Sequence, residues 1–319
     1  MNSSVVLAGF QQLTPVRWLL VPLFFCVWIF ILLSDSLIVF VIITRRILHK
    51  PMFIFIAAVL ANSFTASCTI FPKLLWDLGS GPVSGPVSGP VSGPGMVRVP
   101  LSSCLAQAFW LHFIGSSSFM LLGAMSLDRL LSITRPLHYA VLMSARRVVC
   151  LLLFCWLFPL LLIGFMMALL IQLPLCRDVV QRLYCDPYTV TSLSCAGGAA
   201  QIAVLYGSVA MVLGLFVPAG FVMFSYAHIL WVCVFRSFSR RALHTCVPHI
   251  AVFLNYVLSC AFDLLHRRIS STQGHSVQLV ATVASLIMVV IPTVFNPLVY
   301  GLKVSEIHRQ LRALLRQMR

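Results

Sequence analysis

The sequence predicts an all-α membrane protein: a seven-transmembrane helix bundle with a short amphipathic C-terminal helix. Two observations predict this fold class. The 319 residues are 60% hydrophobic and only 9% charged, whereas a soluble domain carries about 25% charged residues. Seven apolar runs are each long enough to cross a bilayer, which takes about 20 helical residues. Because a soluble core cannot bury this much apolar surface, the expected solvent is lipid.

The seven runs follow one another along the chain, and charged residues lie mainly at their ends. Prolines inside them are compatible with spanning helices, since neighbouring helices and Ser or Thr side chains can satisfy the freed carbonyls. The whole chain, 1–319, is therefore expected to form a single seven-transmembrane domain. The runs cover residues 18–43, 51–77, 104–130, 147–171, 201–232, 242–265 and 276–301.

The distribution of Lys and Arg predicts the orientation in the membrane. With the amino terminus outside, fifteen of the 22 basic residues fall on the cytoplasmic side, six fall outside, and Lys73 lies within the second run. This bias follows the positive-inside rule. The net charge of +15 is thus explained by topology and by contact with anionic lipid, and it does not indicate nucleic-acid binding. We expect a multi-pass plasma-membrane protein with an extracellular amino terminus.

Cysteines divide into two groups by expected depth. Cys104, Cys176, Cys185 and Cys195 lie on the expected outer side, where an oxidising compartment favours two disulfides. The other seven lie in or near helices and are predicted to be small buried apolar residues. These seven are Cys26, Cys68, Cys150, Cys155, Cys233, Cys246 and Cys260.

Two further features belong to the expected outer face. Asn2-Ser3-Ser4 is a glycosylation sequon on the amino-terminal tail. Residues 80–94, SGPVSGPVSGPVSGP, repeat a unit of Gly, Pro, Val and Ser that excludes helix and regular strand. The repeat is interpreted as a low-complexity loop insertion, which a membrane bundle tolerates because the entropy of loop closure grows only logarithmically with length.

Four motifs on the expected inner face occur in a specific order and spacing. They are PMFIFI at 51–56, SLDRLLSITRPLHY at 126–139, SRRALHTCVPHI at 239–250 and PTVFNPLVYGLK at 292–303. Together they resemble the odorant (olfactory) receptors, a branch of the rhodopsin-like G-protein-coupled receptors. The resemblance covers about residues 15–315. The stretches FIAAVLANS and GSSSFMLLGAMSLDR are similar to the fish-type branch of that family.

The resemblance implies a mechanism and its residues. Cys104 would pair with Cys185, and Cys176 with Cys195. The receptor would bind a small odorant within the bundle and activate a heterotrimeric G protein of the stimulatory olfactory type, with cyclic AMP signalling. It implies no catalytic residue and no cofactor.

The same resemblance assigns an inner switch. Asp128 would hold Arg129 at rest, and Arg129 would receive the G protein after the sixth span swings outward. The remaining switch residues would be Asn296, Pro297, Tyr300 and His249. Residues 303–315 would form an amphipathic helix along the membrane.

Three positions depart from the family pattern. Asp35 stands where the family usually has Asn, Ser63 where an acidic residue is common, and Leu130 where Tyr follows the Asp-Arg pair. One hypothesis is that Asp35 supplies the carboxylate of a sodium site that Ser63 cannot supply. The alternative is a buried, protonated Asp35 that is hydrogen bonded to a backbone carbonyl.

Family geometry implies that the odorant lies among the third, fifth, sixth and seventh spans, in a largely apolar pocket. Two of the candidates have alternative interpretations. His112 could be hydrogen bonded to a neighbouring helix, and Asp263 could form an ion pair with Arg267 at i+4. The ligand-binding candidates are His112, Gly115, Ser116, Phe119, Tyr206, Tyr256 and Asp263, with Gly207, Gln278 and Thr282 beside them.

Other classes of protein fit less well. His244 and His249 are five residues apart and do not share a helix face, so they and Cys246 do not predict a metal site. A transporter predicts charges along a path and repeated halves, and a membrane enzyme predicts a nucleophile-base set or a metal motif. A non-olfactory rhodopsin-like receptor is the closest alternative, because it differs only in its ligand.

Overall fold

The computed structural model describes residues 4–80, 96–180, 182–195, 197–235, 240–269 and 275–317. Those residues form a seven-helix bundle with an eighth helix at the carboxyl end. The sequon at Asn2 and most of the repeat, from residue 81 onward, lie outside the described residues.

The predicted spans correspond to long helices. Within the described ranges, six helical segments are long and apolar enough to cross a membrane. The seventh bundle helix packs against the sixth, the second and the first. The spans are α1 Arg17–Thr44, α2 Pro51–Gly79, α3 Leu101–Thr134, α5 Ala145–Ile171, α7 Gly197–Met211 continuing through a π-turn at Val212–Phe216 into α8 Val217–Phe235, α9 Arg240–Ile269 and α10 His275–Lys303.

Short elements connect these helices. The inner loop after α3 contains a 3-10 turn at Pro136–His138 and the four-residue helix α4 Tyr139–Leu142. The outer loop after α5 contains α6 Pro187–Ser192, whose N-cap Asp186 accepts a hydrogen bond from the Thr189 amide at 2.8 Å. The last helix, α11 Ser305–Gln317, follows α10 after one residue and matches the amphipathic helix expected at 303–315.

A small sheet covers the outer end of the bundle. Strand β1 Ser4–Leu7 pairs antiparallel with β2 Val97–Pro100 and parallel with β3 Val179–Val180. Val5, Leu7 and, beyond the strand, Phe10 are buried in the outer core together with Cys104 and Cys185. The amino-terminal segment is therefore packed into the outer core, although composition alone indicated only a tail.

The outer surface of the bundle is apolar, as expected for helices that contact lipid. Large apolar side chains on α1, α5, α7 and α8 face outward, and Trp18 and Trp76 are each 75% exposed near the outer helix ends, as in the aromatic belts of membrane proteins. Cys26, Cys68 and Cys150 are exposed on this surface. Their predicted burial is therefore wrong, because small apolar residues of a spanning helix can face lipid as readily as core. Cys155, Cys233 and Cys246 are buried as predicted.

A buried polar network connects three helices in the middle of the bundle. The Asn62 side-chain amide on α2 donates to the Ser117 and Ser118 hydroxyls of α3 at 2.9 and 3.1 Å. Its oxygen accepts from the Trp156 indole of α5 at 3.2 Å. Hydrogen bonds of this kind stabilise helix association where lipid offers no polar partner.

Candidate functional site

The Asp-Arg pair at the inner end of α3 forms a closed ion pair with an unexpected third member. Arg129 bends back along the helix, so its Nε donates to Asp128 Oδ2 at 2.9 Å and its terminal nitrogen contacts the same oxygen. The other carboxylate oxygen, Oδ1, accepts a hydrogen bond from the Tyr139 hydroxyl of α4 at 2.6 Å. Asp128 is fully buried, and both of its oxygens are bonded.

Tyr139 therefore connects the inner loop to the charged pair. Burial raises the pKa of Tyr139 above its ordinary value, and the hydrogen bond and charge of Asp128 raise it further. The phenol keeps its proton and remains a donor to the carboxylate. Hydrogen bonds to an ionised acceptor are stronger than neutral ones, so the position of α4 is coupled to the state of Asp128.

The expected switch residues of α9 and α10 pack together beside this pair. Tyr300 is fully buried, and its ring centre lies 5.8 Å from that of His249 on α9. Neither His249 ring nitrogen nor the Tyr300 hydroxyl is hydrogen bonded to a described residue. A buried polar group without a hydrogen-bonding partner costs free energy. An alternative arrangement of α9 and α10 that gave these groups partners would remove that cost.

A second contact links the inner cluster to the middle of the bundle. The Asn296 side-chain amide, one turn before Tyr300, donates to the Tyr256 hydroxyl at 3.0 Å. Tyr256 in turn packs edge-on against Phe119 of α3, with ring centres 5.8 Å apart. Pro297 lies inside α10, where it removes a backbone donor. Tyr256 and Phe119, two of the expected ligand residues, thus form a contact between α3, α9 and α10.

Three expected ligand residues lie along one face of α3. The Ser116 hydroxyl donates to the Gly214 carbonyl at 3.4 Å, in the π-turn of the fifth span. A Cβ at Gly214 would lie 2.5 Å from the Ser116 oxygen, so a larger residue there would displace the Ser116 hydroxyl from this contact. A Cβ at Gly115 would meet nothing within 4 Å, so there is open space at this position. His112 Nδ1 lies 3.0 Å from the Ala108 carbonyl.

The remaining expected ligand residues are not all brought to this space. Tyr206 donates its hydroxyl to the Leu162 carbonyl of α5 at 3.0 Å, and its ring lies 4.8 Å from that of Phe165. Tyr206 therefore faces α5. A Cβ at Gly207 would lie 3.7 Å from the Met166 sulfur of α5. The Asp263 side chain lies outside the described residues, as do those of Arg267, Gln278 and Thr282.

The structure contains a small outer cavity on the opposite side of α3. Its volume is about 20 Å³, and it lies between α2, α3, α10 and the outer loop. Lys73 and Asp77 of α2 form an ion pair at its wall, and the Asp77 side chain is only 7% exposed. Charged groups at this depth are costly unless they are paired. The expected ligand residues are absent from its lining. From the sequence, the pairing of Lys73 with Asp77 could be inferred only from their i, i+4 spacing.

Two disulfides shape the outer loop. Cys104 at the start of α3 is bonded to Cys185, and Cys176 to Cys195. The backbone amide of Cys185 also donates to the buried Gln107 side-chain oxygen at 3.0 Å. The loop is thus attached to α3 by a covalent bond and a hydrogen bond one turn apart. Gln107 was missed from the sequence, because a polar residue in an apolar run has no distinguishing local pattern.

Asp35 is buried inside the bundle, with 1% of its surface exposed. The Ser63 hydroxyl of α2 lies close to its carboxylate, and neither carboxylate oxygen accepts a well-formed hydrogen bond from a described residue. The alternative expectation, a hydrogen bond to a backbone carbonyl, is therefore not seen. Ser63 donates to the Thr293 carbonyl of α10 at 3.3 Å, so α2 and α10 are joined at the position where an acidic residue is common.

Metal coordination receives no support from the described part of the chain. Within those ranges, no group of three or more His, Cys, Asp or Glu side chains is arranged to hold a metal ion. Cys246 and His249 are buried inside the helix bundle, and the His244 side chain lies outside the described residues.

Comparison with known proteins identifies the family. The model of the olfactory receptor family matches residues 90–318. Human olfactory receptor 11A1 is 30% identical over 319 residues, covering 98% of this chain and 94% of the relative. The chain belongs to the olfactory receptor family. Mouse olfactory receptor 6E1 is also 30% identical, covering 97% of this receptor and 94% of the relative.

The solved structures support the fold. The crystal structure of squid rhodopsin superposes with a TM-score of 0.71 at 15% identity, covering 96% of this receptor and 87% of that chain. At this identity the likeness concerns the fold alone. Family and fold together confirm a multi-pass membrane receptor of the olfactory class, and they exclude the enzyme class. The resemblance to the fish-type branch stays a prediction.

Proposed function

We propose that this olfactory receptor binds a small odorant within its helix bundle and activates a heterotrimeric G protein of the stimulatory olfactory type, which raises cyclic AMP. The observation that carries the proposal is the ion pair of Asp128 and Arg129, bound by Tyr139 at the inner end of α3. An Arg with 16% of its side chain exposed, held by one carboxylate, is a group that a partner protein can reach once the pair opens.

The mechanism is a shift between two existing conformations. The odorant binds the active arrangement more tightly and so raises its population. Moving from about 1% to 99% active requires roughly 5.5 kcal/mol of differential binding. In the resting arrangement Arg129 is paired with Asp128, and His249 and Tyr300 are packed together. Outward movement of α9 separates His249 from Tyr300 and opens the inner end of the bundle, where Arg129 leaves Asp128 and contacts the G protein.

The odorant site is proposed beside α3, next to Gly115 and Ser116. The open space at Gly115 and the close approach of Ser116 to the π-turn of the fifth span support this position. Because Gly115 faces open space, Gly115→Leu would fill the site. We expect this variant to lose the odorant response while a matched change on the lipid-exposed surface, Leu161→Ala, keeps it.

The decisive cell experiment is a cyclic AMP reporter with measured surface expression, challenged with amines, acids and amino acids. At least one odorant is expected to raise cyclic AMP in cells that express the wild-type receptor. Arg129→Ala is expected to abolish the response while ligand binding is retained. A normal response from Arg129→Ala would show that the assigned role of Arg129 is wrong.

The proposed orientation has the amino terminus outside and α11 in the cytoplasm. The excess of basic residues at the expected inner ends supports it. Epitope tags at both termini of intact cells test the orientation directly. An antibody is expected to reach the amino-terminal tag without permeabilisation, and staining of the carboxyl-terminal tag in intact cells would overturn the topology. Asn2 is proposed to carry a glycan in this orientation, which a mobility shift on glycosidase treatment tests.

Sodium binding by Asp35 is a further hypothesis about the same switch. The buried carboxylate of Asp35, whose oxygens accept no well-formed hydrogen bond from a described residue, supplies oxygen ligands of the kind that hard cations prefer. Sodium would stabilise the resting arrangement, so basal activity should fall as sodium rises. Asp35→Asn should remove this dependence, whereas identical sodium curves for the variant and the wild type would exclude it.

A non-olfactory role for a member of this family differs only in the ligand. Expression in olfactory sensory neurons separates the two possibilities. A transporter function is separated by ion flux in liposomes without a G protein, which our proposal predicts to be absent.

A further inference from the structure

The two disulfides of the outer loop differ in their access to solvent. Cys104 and Cys185 each have 0% of their surface exposed and lie in the outer core. Cys176 and Cys195 are both exposed on the outer face. Thiol–disulfide exchange begins when a thiolate reaches one sulfur of the bond, so its rate depends on access. A dissolved thiol can therefore attack the exposed bond directly, whereas the buried bond must first be uncovered by local opening of the receptor.

The exposed disulfide connects two spans at their outer ends. Cys176 follows shortly after α5, which ends at Ile171, and Cys195 lies just before α7, which begins at Gly197. The bond is therefore a covalent link between the end of the fourth span and the start of the fifth. Breaking it changes how the fifth span is held at the outer face.

Backbone hydrogen bonds hold the same two segments together independently of the sulfur bond. The Cys176 amide donates to the Leu193 carbonyl at 3.0 Å, and the Cys195 amide donates to the Pro174 carbonyl at 3.3 Å. An antiparallel bridge lies between these two hydrogen bonds. The two sulfur atoms therefore stay near each other when the disulfide opens, and their high effective concentration favours closure again once the external thiol is removed. Opening at this position is thus reversible without unfolding of the loop.

The charge beside the exposed bond favours attack by a thiolate. Arg177 directly follows Cys176 and is exposed, whereas the next residue, Asp178, is partly buried. A guanidinium close to a disulfide attracts an incoming thiolate and stabilises the thiolate that leaves. Exposure, position and charge therefore agree in making this bond reactive.

We infer that the Cys176–Cys195 disulfide is a reversible modification site that exchanges with low-molecular-weight thiols. The thiolate sulfur of the incoming thiol attacks one cysteine sulfur and forms a new sulfur–sulfur bond. The original bond breaks, and its electron pair leaves on the other cysteine as a thiolate. The products are a mixed disulfide on one cysteine and a free thiolate on the other, without an external oxidant or reductant. Attack of this free thiolate on the mixed disulfide expels the small thiol and restores the original bond.

The exchange has a consequence for the fifth span. α7 continues into the π-turn, where the Gly214 carbonyl accepts a hydrogen bond from Ser116 beside the proposed odorant site. Loss of the covalent link loosens the outer end of α7 and thereby alters the odorant response. This consequence rests on the proposed function, whereas the exchange reaction and the loosening of α7 do not. Both can be measured without an odorant, so their failure is distinct from failure of the odorant function.

The experiment uses the purified full-length receptor in nanodiscs and reduced glutathione as the thiol. Free thiols are first blocked with N-ethylmaleimide, and the reaction with glutathione is quenched with acid. Mass spectrometry then measures glutathione adducts at each cysteine. Adducts at Cys176 or Cys195 should form at least about tenfold faster than at Cys104 or Cys185, because the buried sulfurs require local opening. S-methylglutathione, which has the same charges but no thiol, should form no adduct.

Hydrogen–deuterium exchange tests the effect on the fifth span. Amide exchange in residues 197–203 should become faster with glutathione and stay unchanged with S-methylglutathione. The variant Cys176→Ser/Cys195→Ser should show the faster exchange without any thiol. The control Cys150→Ser removes an exposed cysteine that is not in a disulfide, and its adducts and amide exchange should match those of the wild type.

Two results would overturn the inference. The first is adduct formation at equal rates on the two disulfides of the wild type, which would show that exposure does not select the site. The second is unchanged amide exchange in residues 197–203 after the adduct has formed, which would show that the bond does not hold the fifth span. Both results come from the wild-type receptor, so they do not depend on correct folding of the double variant.

Discussion

Tyr139→Phe tests the resting lock most sharply, because it removes one oxygen and keeps the ring. The lost contact is the 2.6 Å hydrogen bond from the Tyr139 hydroxyl to the buried carboxylate of Asp128. A hydrogen bond to a charged group contributes about 1.5–3 kcal/mol. Each 1.4 kcal/mol is a factor of ten in an equilibrium constant. The equilibrium constant that favours the resting arrangement should therefore fall roughly ten- to hundredfold.

The consequence is higher activity without odorant. A receptor that is about 1% active at rest would become roughly 10% active at the lower limit of this range. The assay is basal nucleotide exchange on a purified heterotrimeric G protein, normalised to the amount of folded receptor. Tyr188→Phe is the matched control, because Tyr188 is an exposed tyrosine at the outer end, and its basal rate should equal that of the wild type. Unchanged basal exchange in Tyr139→Phe would refute the account of the lock.

Two further predictions concern stability and the outer cap. Lys73→Met leaves the Asp77 carboxylate buried without its partner, which costs about 3–5 kcal/mol of stability. The double variant Lys73→Met/Asp77→Leu should recover most of that stability. Equal melting temperatures for the single and double variants would contradict this prediction. Gly9→Ala would bring a Cβ to 2.7 Å from the Arg182 carbonyl carbon and should speed amide exchange in β1. The control Gly79→Ala meets nothing within 4 Å and should leave β1 exchange unchanged; equal exchange in both variants would show that the close approach at Gly9 is not required.

The spans could be predicted from the sequence because each depends only on a local property. A run of apolar residues long enough to cross a bilayer can be recognised from composition alone. The observed helices Arg17–Thr44 and Ala145–Ile171 extend the predicted runs by only one or two residues at a terminus. The inner motifs were recognisable for the same reason, since their order along the chain carries the family signature.

Contacts between distant segments could not be predicted. Strand β1 pairs with residues ninety or more positions away. Its four residues, one Ser and three aliphatic residues, have no local pattern that predicts a partner. Tyr139 lies in a motif that was recognised, yet its bond to Asp128 depends on how α4 folds back beneath α3. The orientation of Tyr206 toward α5 likewise depends on helix rotation, which an apolar run on all faces does not specify.

We propose above that Arg129 at the inner end of α3 transmits ligand binding to a G protein. The most direct measurement is ligand-stimulated nucleotide exchange on a purified heterotrimeric G protein, with wild-type receptor and Arg129→Ala in nanodiscs and an odorant that both bind equally. The account predicts stimulated exchange with the wild type and none with Arg129→Ala. Equal stimulation by the two receptors would contradict it.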